Sequence, residues 1–205
     1  MKKELFIFLS ASFVLLLIAG VYAAGPSSGN SNQNSQNNTQ TNRQTNQTQS
    51  PVNCETFTTI KERIKCRFEN KGNLVDNPNY QEEACRNNAK AAVCVQLYKD
   101  AKPCYELSSA PEKKACFLTK SGISQRGALS AAPNEKKRNY IVLLLYELQE
   151  RIESTEAQAQ ITTEEAANLV ALIVEIKQDI FAEKPRSEIV PKVQNLKQEY
   201  FEAIQ

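Results

Sequence analysis

The feature that most limits what this chain can fold into is a set of six cysteines confined to residues 54–116. An even number in one short segment reads as a disulfide framework wherever the chain meets an oxidising compartment. None of them forms a C-x-x-C pair, so the short sulfur-bearing loop of a thioredoxin-type redox centre or a zinc ribbon is missing. Cys66, Cys94 and Cys116 each follow, at seven residues, a side chain suited to cap a helix: Thr59, Asn87 and Ser109. A second cysteine stands upstream of each, at Cys54, Cys85 and Cys104. The segment therefore reads as three copies of one unit: cysteine, short approach, N-cap, two turns of helix, cysteine.

The outer copies are the clearer ones. Ser109 and Glu112 have the spacing of a capping box, and Ile60, Ile64 and Phe68 form a stripe at four-residue intervals. In the middle copy Asn77 and Pro78 also signal a helix start, and that helix could run to Tyr98. On one straight helix Cys85 and Cys94 would stand about 13 Å apart, outside disulfide reach. A break at Asn87 and Asn88 instead lets every unit close on itself. The repeat then pairs Cys54 with Cys66, Cys85 with Cys94, and Cys104 with Cys116, one of fifteen formal connectivities.

Export is read from the other end of the chain. Lys2 and Lys3 precede an apolar run over residues 5–24, and Val21 and Ala23 place small residues at the positions a signal peptidase selects. Cleavage after Ala23 is the expected outcome. A retained transmembrane anchor is the competing one, because about 20 apolar residues just span a bilayer. Either way the positive end stays cytoplasmic and the rest of the chain lies outside. Residues 25–53 are almost entirely Asn, Gln, Ser and Thr with Arg43 the only charge, so they cannot offset their own ordering entropy and read as a disordered linker. Asn37 and Asn46 head two candidate glycosylation sequons within it.

Beyond residues 119–134, a Ser-, Gly- and Ala-rich connection, three amphipathic helices are expected. The first runs from Glu135 to about Gln158 with Ile141, Leu145, Leu148 and Ile152 as its stripe. The added bulk of Val142, Leu143, Leu144 and Tyr146 requires its first half to be covered on more than one side. The second opens with a capping box at Thr162 and Glu165 and buries Ala166, Leu169, Ile173, Ile176 and Ile180 before Pro185 stops it. The third starts near Ser187, tolerates Pro191 only near its first turn, and lines Ile189, Val193, Leu196, Tyr200 and Ala203 on one face. Short connections make neighbours antiparallel. The fold expected is all-α: signal or anchor (1–24), linker (25–53), cysteine-rich helical repeat (54–118), connection (119–134) and a three-helix antiparallel bundle (135–205). As separate units, the bundle should outlast reduction of the cysteine region.

Composition excludes more function classes than it suggests. The chain has no histidine, and its 25 Lys and Arg against 23 Asp and Glu are mixed rather than blocked, which speaks against nucleic acid as a partner. No phosphate-binding glycine loop and no metal-ligand spacing are present, so no cofactor and no metal are expected. Glu147, Glu150, Glu153, Glu164 and Glu165 read as solvated helix faces rather than a catalytic pair. Tyr80, Tyr98, Tyr105 and Phe117 read as small-domain core ahead of a binding surface. The expected function is that of a non-catalytic, exported module that binds a protein or builds structure at the cell envelope or outside the cell. An extracytoplasmic enzyme or thiol–disulfide protein using a cysteine is the alternative.

Overall fold

The computed structural model describes residues 51–71, 82–86, 89–124 and 129–204. Residues 5–24, Asn37, Asn46, Tyr80, Asn87 and nearly all of the 25–53 linker lie outside these. Among the described residues the fold is all-α, with six helices and no strand. They are α1 (Ile60–Glu69), α2 (Ala91–Tyr105), α3 (Ala110–Lys120), α4 (Asn134–Ala157), α5 (Thr163–Phe181) and α6 (Arg186–Ala203). Short 3-10 turns at Cys54–Thr56, Glu83–Cys85 and Leu129–Ala131 join the segments.

Caps set the starts where the sequence marks them. Thr59 accepts a hydrogen bond from the Glu62 amide at 3.2 Å while the Glu62 carboxylate accepts from the Thr59 amide at 3.2 Å. Thr162 and Glu165 repeat the arrangement at 3.2 and 2.8 Å, satisfying amides that no helical carbonyl reaches. Ser109 caps α3 through the Glu112 amide at 3.3 Å. The middle unit departs from the repeat: α2 starts at Ala91 behind Lys90, which makes no side-chain cap. Cys94 therefore stands in the first turn of its helix, whereas Cys66 and Cys116 stand in the second.

The expected pairing is the one observed: Cys54–Cys66, Cys85–Cys94 and Cys104–Cys116, with Cα separations of 5.6, 5.5 and 5.7 Å. The break before α2 makes the middle bridge possible. Cys85 ends a 3-10 turn instead of riding the same helix as Cys94. Gly122, at φ +78°, ends α3 with its amide on the Thr119 carbonyl and that of Ile123 on Leu118. This left-handed residue turns the chain into the connection toward α4 at no steric cost.

The bundle helices form within a residue or two of their expected bounds, and α6 starts early enough that Pro191 falls in its second turn. The five-residue turn from α4 to α5 and the four-residue turn from α5 to α6 reverse the chain each time. One hydrophobic cluster runs through both parts of the chain. Cys85, Cys94, Leu97, Ala101, Cys104 and Phe117 join Tyr140, Leu144, Leu148, Ile173, Ile176 and Leu196 in it. Helix α1 packs along α5, while α2 and α3 pack on α4. This explains the apolar girth of α4, where every residue from Val142 to Leu148 is buried. Its second side is covered by the cysteine-bearing helices, so the two sequence segments share a core.

Candidate functional site

Two adjacent carboxylates on the Glu83–Cys85 turn point into different parts of the molecule. Glu83 reaches α1, where Arg63 donates to its Oε1 through Nε at 3.0 Å and through a terminal nitrogen at 2.6 Å. Arg67 reaches its Oε2 at 2.9 Å and Glu55 at 2.6 Å. Arg63 also donates to the carbonyls of Phe57 and Thr58, both at 2.8 Å, so the loop closed by Cys54–Cys66 is tied to the same centre. Planar guanidinium forks suit such multi-point contacts.

Glu82 turns the other way, into the space between α4 and α5. Its Oε2 accepts from the Tyr146 hydroxyl at 2.7 Å and from the Ala84 amide at 2.8 Å, and its Oε1 lies 3.2 Å from Lys177 Nζ. Lys177 is wholly buried, 0% exposed. Its ammonium also donates to Gln149 Oε1 at 2.6 Å and stands 3.4 Å from the centroid of the Tyr146 ring. Burial pulls the Lys177 pKa down, against the opposing attraction of Glu82 and the carboxylates on α4. Gln149 hands its amide nitrogen to Glu153 Oε1 at 2.8 Å, and burial raises the Glu153 carboxyl pKa. The Cys85–Cys94 bridge forms one wall, its sulfurs 3.7 and 4.0 Å from the Tyr146 hydroxyl.

The carboxylate row of α4 is thus not the solvated face that its sequence suggests. Glu147 is 4% exposed and pairs with Lys113 at 3.1 Å and Arg151 at 3.3 Å. Glu150 accepts from the Tyr98 hydroxyl at 2.7 Å, and Glu153 holds Gln149. The reason is the second cover on α4: with α2 and α3 laid over it, Glu147 is buried and Glu150 and Glu153 are half-buried. Glu164 and Glu165 do stay at the surface. The former pairs with Lys61 and Lys65, which hold its carboxyl down to about 2, and the latter serves the α5 cap.

The expected aromatic core is present for the described members. Phe117 is buried, Tyr105 lies 5.2 Å from it, and Tyr98 stands 6.1 Å from Tyr105 and 4.5 Å from Tyr146, as ring centroids. Burial raises the pKa of Tyr98, Tyr105 and Tyr146, and raises that of Tyr140 to about 12. All four shifts lie above the unfolded value near 10, so the stability they contribute is complete below about pH 10 and is lost as pH climbs through the folded values. In an alkaline titration the phenolate absorbance of these four of the seven tyrosines is expected to appear only together with loss of helical circular dichroism. Ordinary titration of all seven with helicity intact would contradict their burial.

No protein-family model, curated protein or solved structure matches the chain. Glu82, Cys85 and Cys94 bring three potential metal ligands within 4.8 Å of one another. Both sulfurs are spent in the disulfide, however, and a disulfide sulfur lacks the thiolate charge that zinc or copper binding draws on. As an oxidised unit this cluster does not fit a metal. A cleft of about 690 Å³ opens between α1 and the end of α5, beside Arg63, Glu83 and Arg86. Its Arg63 and Glu83 already pair with each other.

Among the residues named from sequence, the structure brings all six cysteines into bridges and none is free. Sequence reasoning missed Lys177 and Glu82. Lys177 had left a readable signal: it stands between Ile173 and Ile180 on the stripe of α5, a charge at a core position. Glu82 had left none, because a carboxylate in a non-helical approach has no period to violate.

Proposed function

We propose that this protein is an exported, non-catalytic helical module that works by binding a protein partner at the cell envelope or outside the cell. Three local disulfides using every cysteine are the observation that carries this reading. Such bridges persist where thiols are not kept reduced, and they match the export-type N-terminus of the sequence. The first 24 residues would be a signal peptide or an anchor, and the polar linker would hold the folded part away from its attachment. The alternative of a thiol–disulfide exchanger has less support. Exchange needs an attacking thiolate to reach a sulfur, and Cys85, Cys94 and Cys104 are each 0% exposed.

Support for a partner-binding surface comes from the outermost helix. At the end of α6, Phe201 and the capping residue Ile204 are 42% and 41% exposed, while Leu196 and Tyr200 fill the core. An exposed aromatic ring with an exposed aliphatic side chain three residues on is the kind of anchor that protein interfaces use. The test is photo-crosslinking in the native source, with the full chain carrying a photoreactive residue at Phe201 or, as control, at Lys99. A discrete adduct from Phe201 alone, in the exported fraction and with all three bridges intact, is the expected result. A cytoplasmic chain with free thiols, or equal adducts at both positions, overturns the reading.

A further inference from the structure

A nucleophile that no solvent or substrate can reach is able to react only with its neighbours, and Lys177 is such a group. Its Nζ has a carboxamide, Gln149, and a carboxylate, Glu82, as polar partners between α4 and α5. The amide oxygen is 2.6 Å away, and the amide carbon lies one C=O bond, about 1.2 Å, beyond that oxygen. The carbon is therefore within van der Waals range of the amine. Attack requires Nζ to approach the face of the carbonyl, a position that rotation about the flexible lysine side chain supplies. Holding the two groups in this proximity replaces an encounter that water would make rare.

We propose that Lys177 and Gln149 form an intramolecular isopeptide bond, assisted by Glu82 at the amine and Glu153 at the amide nitrogen. The lysine amine attacks Gln149 Cδ, forming the Nζ–Cδ bond. Glu82, 3.2 Å from Nζ, takes the proton that the attacking nitrogen sheds. The Cδ–Nε2 bond breaks, and Nε2 leaves as ammonia with a proton from Glu153, whose Oε1 is 2.8 Å away. Amine and carboxamide become a secondary amide and ammonia. No atom is oxidised or reduced, and the two carboxyl groups exchange their proton afterwards.

Local chemistry supports each role. Burial favours the neutral, nucleophilic amine on Lys177 and keeps a proton on Glu153 to give away. The Tyr146 hydroxyl and the Ala84 amide fix Glu82 through its other oxygen, so its Oε1 faces the amine. The Cys85–Cys94 bridge fixes the turn that carries Glu82, which makes the positioning depend on oxidation. The product would join the central helices covalently, suiting an exported module that must survive outside the cell. The inference does not depend on the partner-binding reading.

Mass spectrometry of the oxidised full chain, after prolonged incubation at neutral pH, tests it directly. The expected result is the loss of one ammonia, localised by tryptic digestion to residues 139–151 joined through Gln149 to the peptide spanning Lys177, with cleavage after Lys177 blocked. Localisation separates this from ammonia lost by asparagines in the linker. Glu82→Gln should lower the cross-linked fraction at least tenfold, and Lys177→Arg should abolish it. Recovery of wild-type peptides 139–151 and 152–177 as free, unmodified species overturns the proposal whatever the variants do.

Discussion

Reducing the three disulfides is expected to abolish helicity in α4, α5 and α6 together with the cysteine-bearing helices, in a single transition. The bridges close loops with sequence separations of 12, 9 and 12 residues. The chain-entropy relation assigns loops of this size about 2.5 to 3 kcal/mol each, roughly 8 kcal/mol in all. A single domain holds about 5 to 15 kcal/mol in reserve. Loss of the bridges thus consumes most or all of it, and the effect does not stay local because the cluster around Leu144 and Ile173 also contains Cys85, Cys94 and Cys104. Circular dichroism with limited proteolysis decides the matter. A protease-resistant fragment near residues 135–205 that keeps its helicity after reduction would show that the bundle folds without its cover.

That expectation replaces the one the sequence supports, and the difference has a physical source. Periodicity reports which face of a helix is apolar but not which element covers it. The helices, caps and self-closing pairs were legible because each is set by residues within a dozen positions: Thr59 with Glu62, Thr162 with Glu165, Cys104 with Cys116. The two-sided burial of α4 was legible too, from the uninterrupted run Ile141–Leu145. Its partners were not, since nothing in the stripes of α2 and α3 names their target. For the same reason Glu147, Glu150 and Glu153 read as solvated. The burial of Glu147 and the half-burial of Glu150 and Glu153 are properties of what was laid over them.

The Glu82–Lys177 pair gives the sharpest test of the candidate site. Glu82→Ala deletes the carboxylate facing a fully buried ammonium and leaves Gln149 as its remaining hydrogen-bond partner among those described. Removing one member of a buried pair costs about 3 to 5 kcal/mol, because the other must stay charged without compensation or give up its proton. For a domain of this size that corresponds to a fall in Tm of roughly 10 °C. Lys177→Met should cost less. The Glu82 carboxylate keeps the Tyr146 hydroxyl and the Ala84 amide, and it is 8% rather than 0% exposed. The double variant Glu82→Ala with Lys177→Met combines the same two substitutions and removes both charges, and it is expected to be less destabilised than the two single losses added together, since loss of a whole buried ion pair costs less than loss of one partner. The comparison uses freshly oxidised protein in which mass spectrometry shows Lys177 still free, so that the ion pair and not a cross-link is read. The sign of the coupling is the discriminating quantity. If the double variant is as unstable as the two single losses added together, Glu82 and Lys177 act independently, and the cluster between α4 and α5 is not the unit that its geometry suggests.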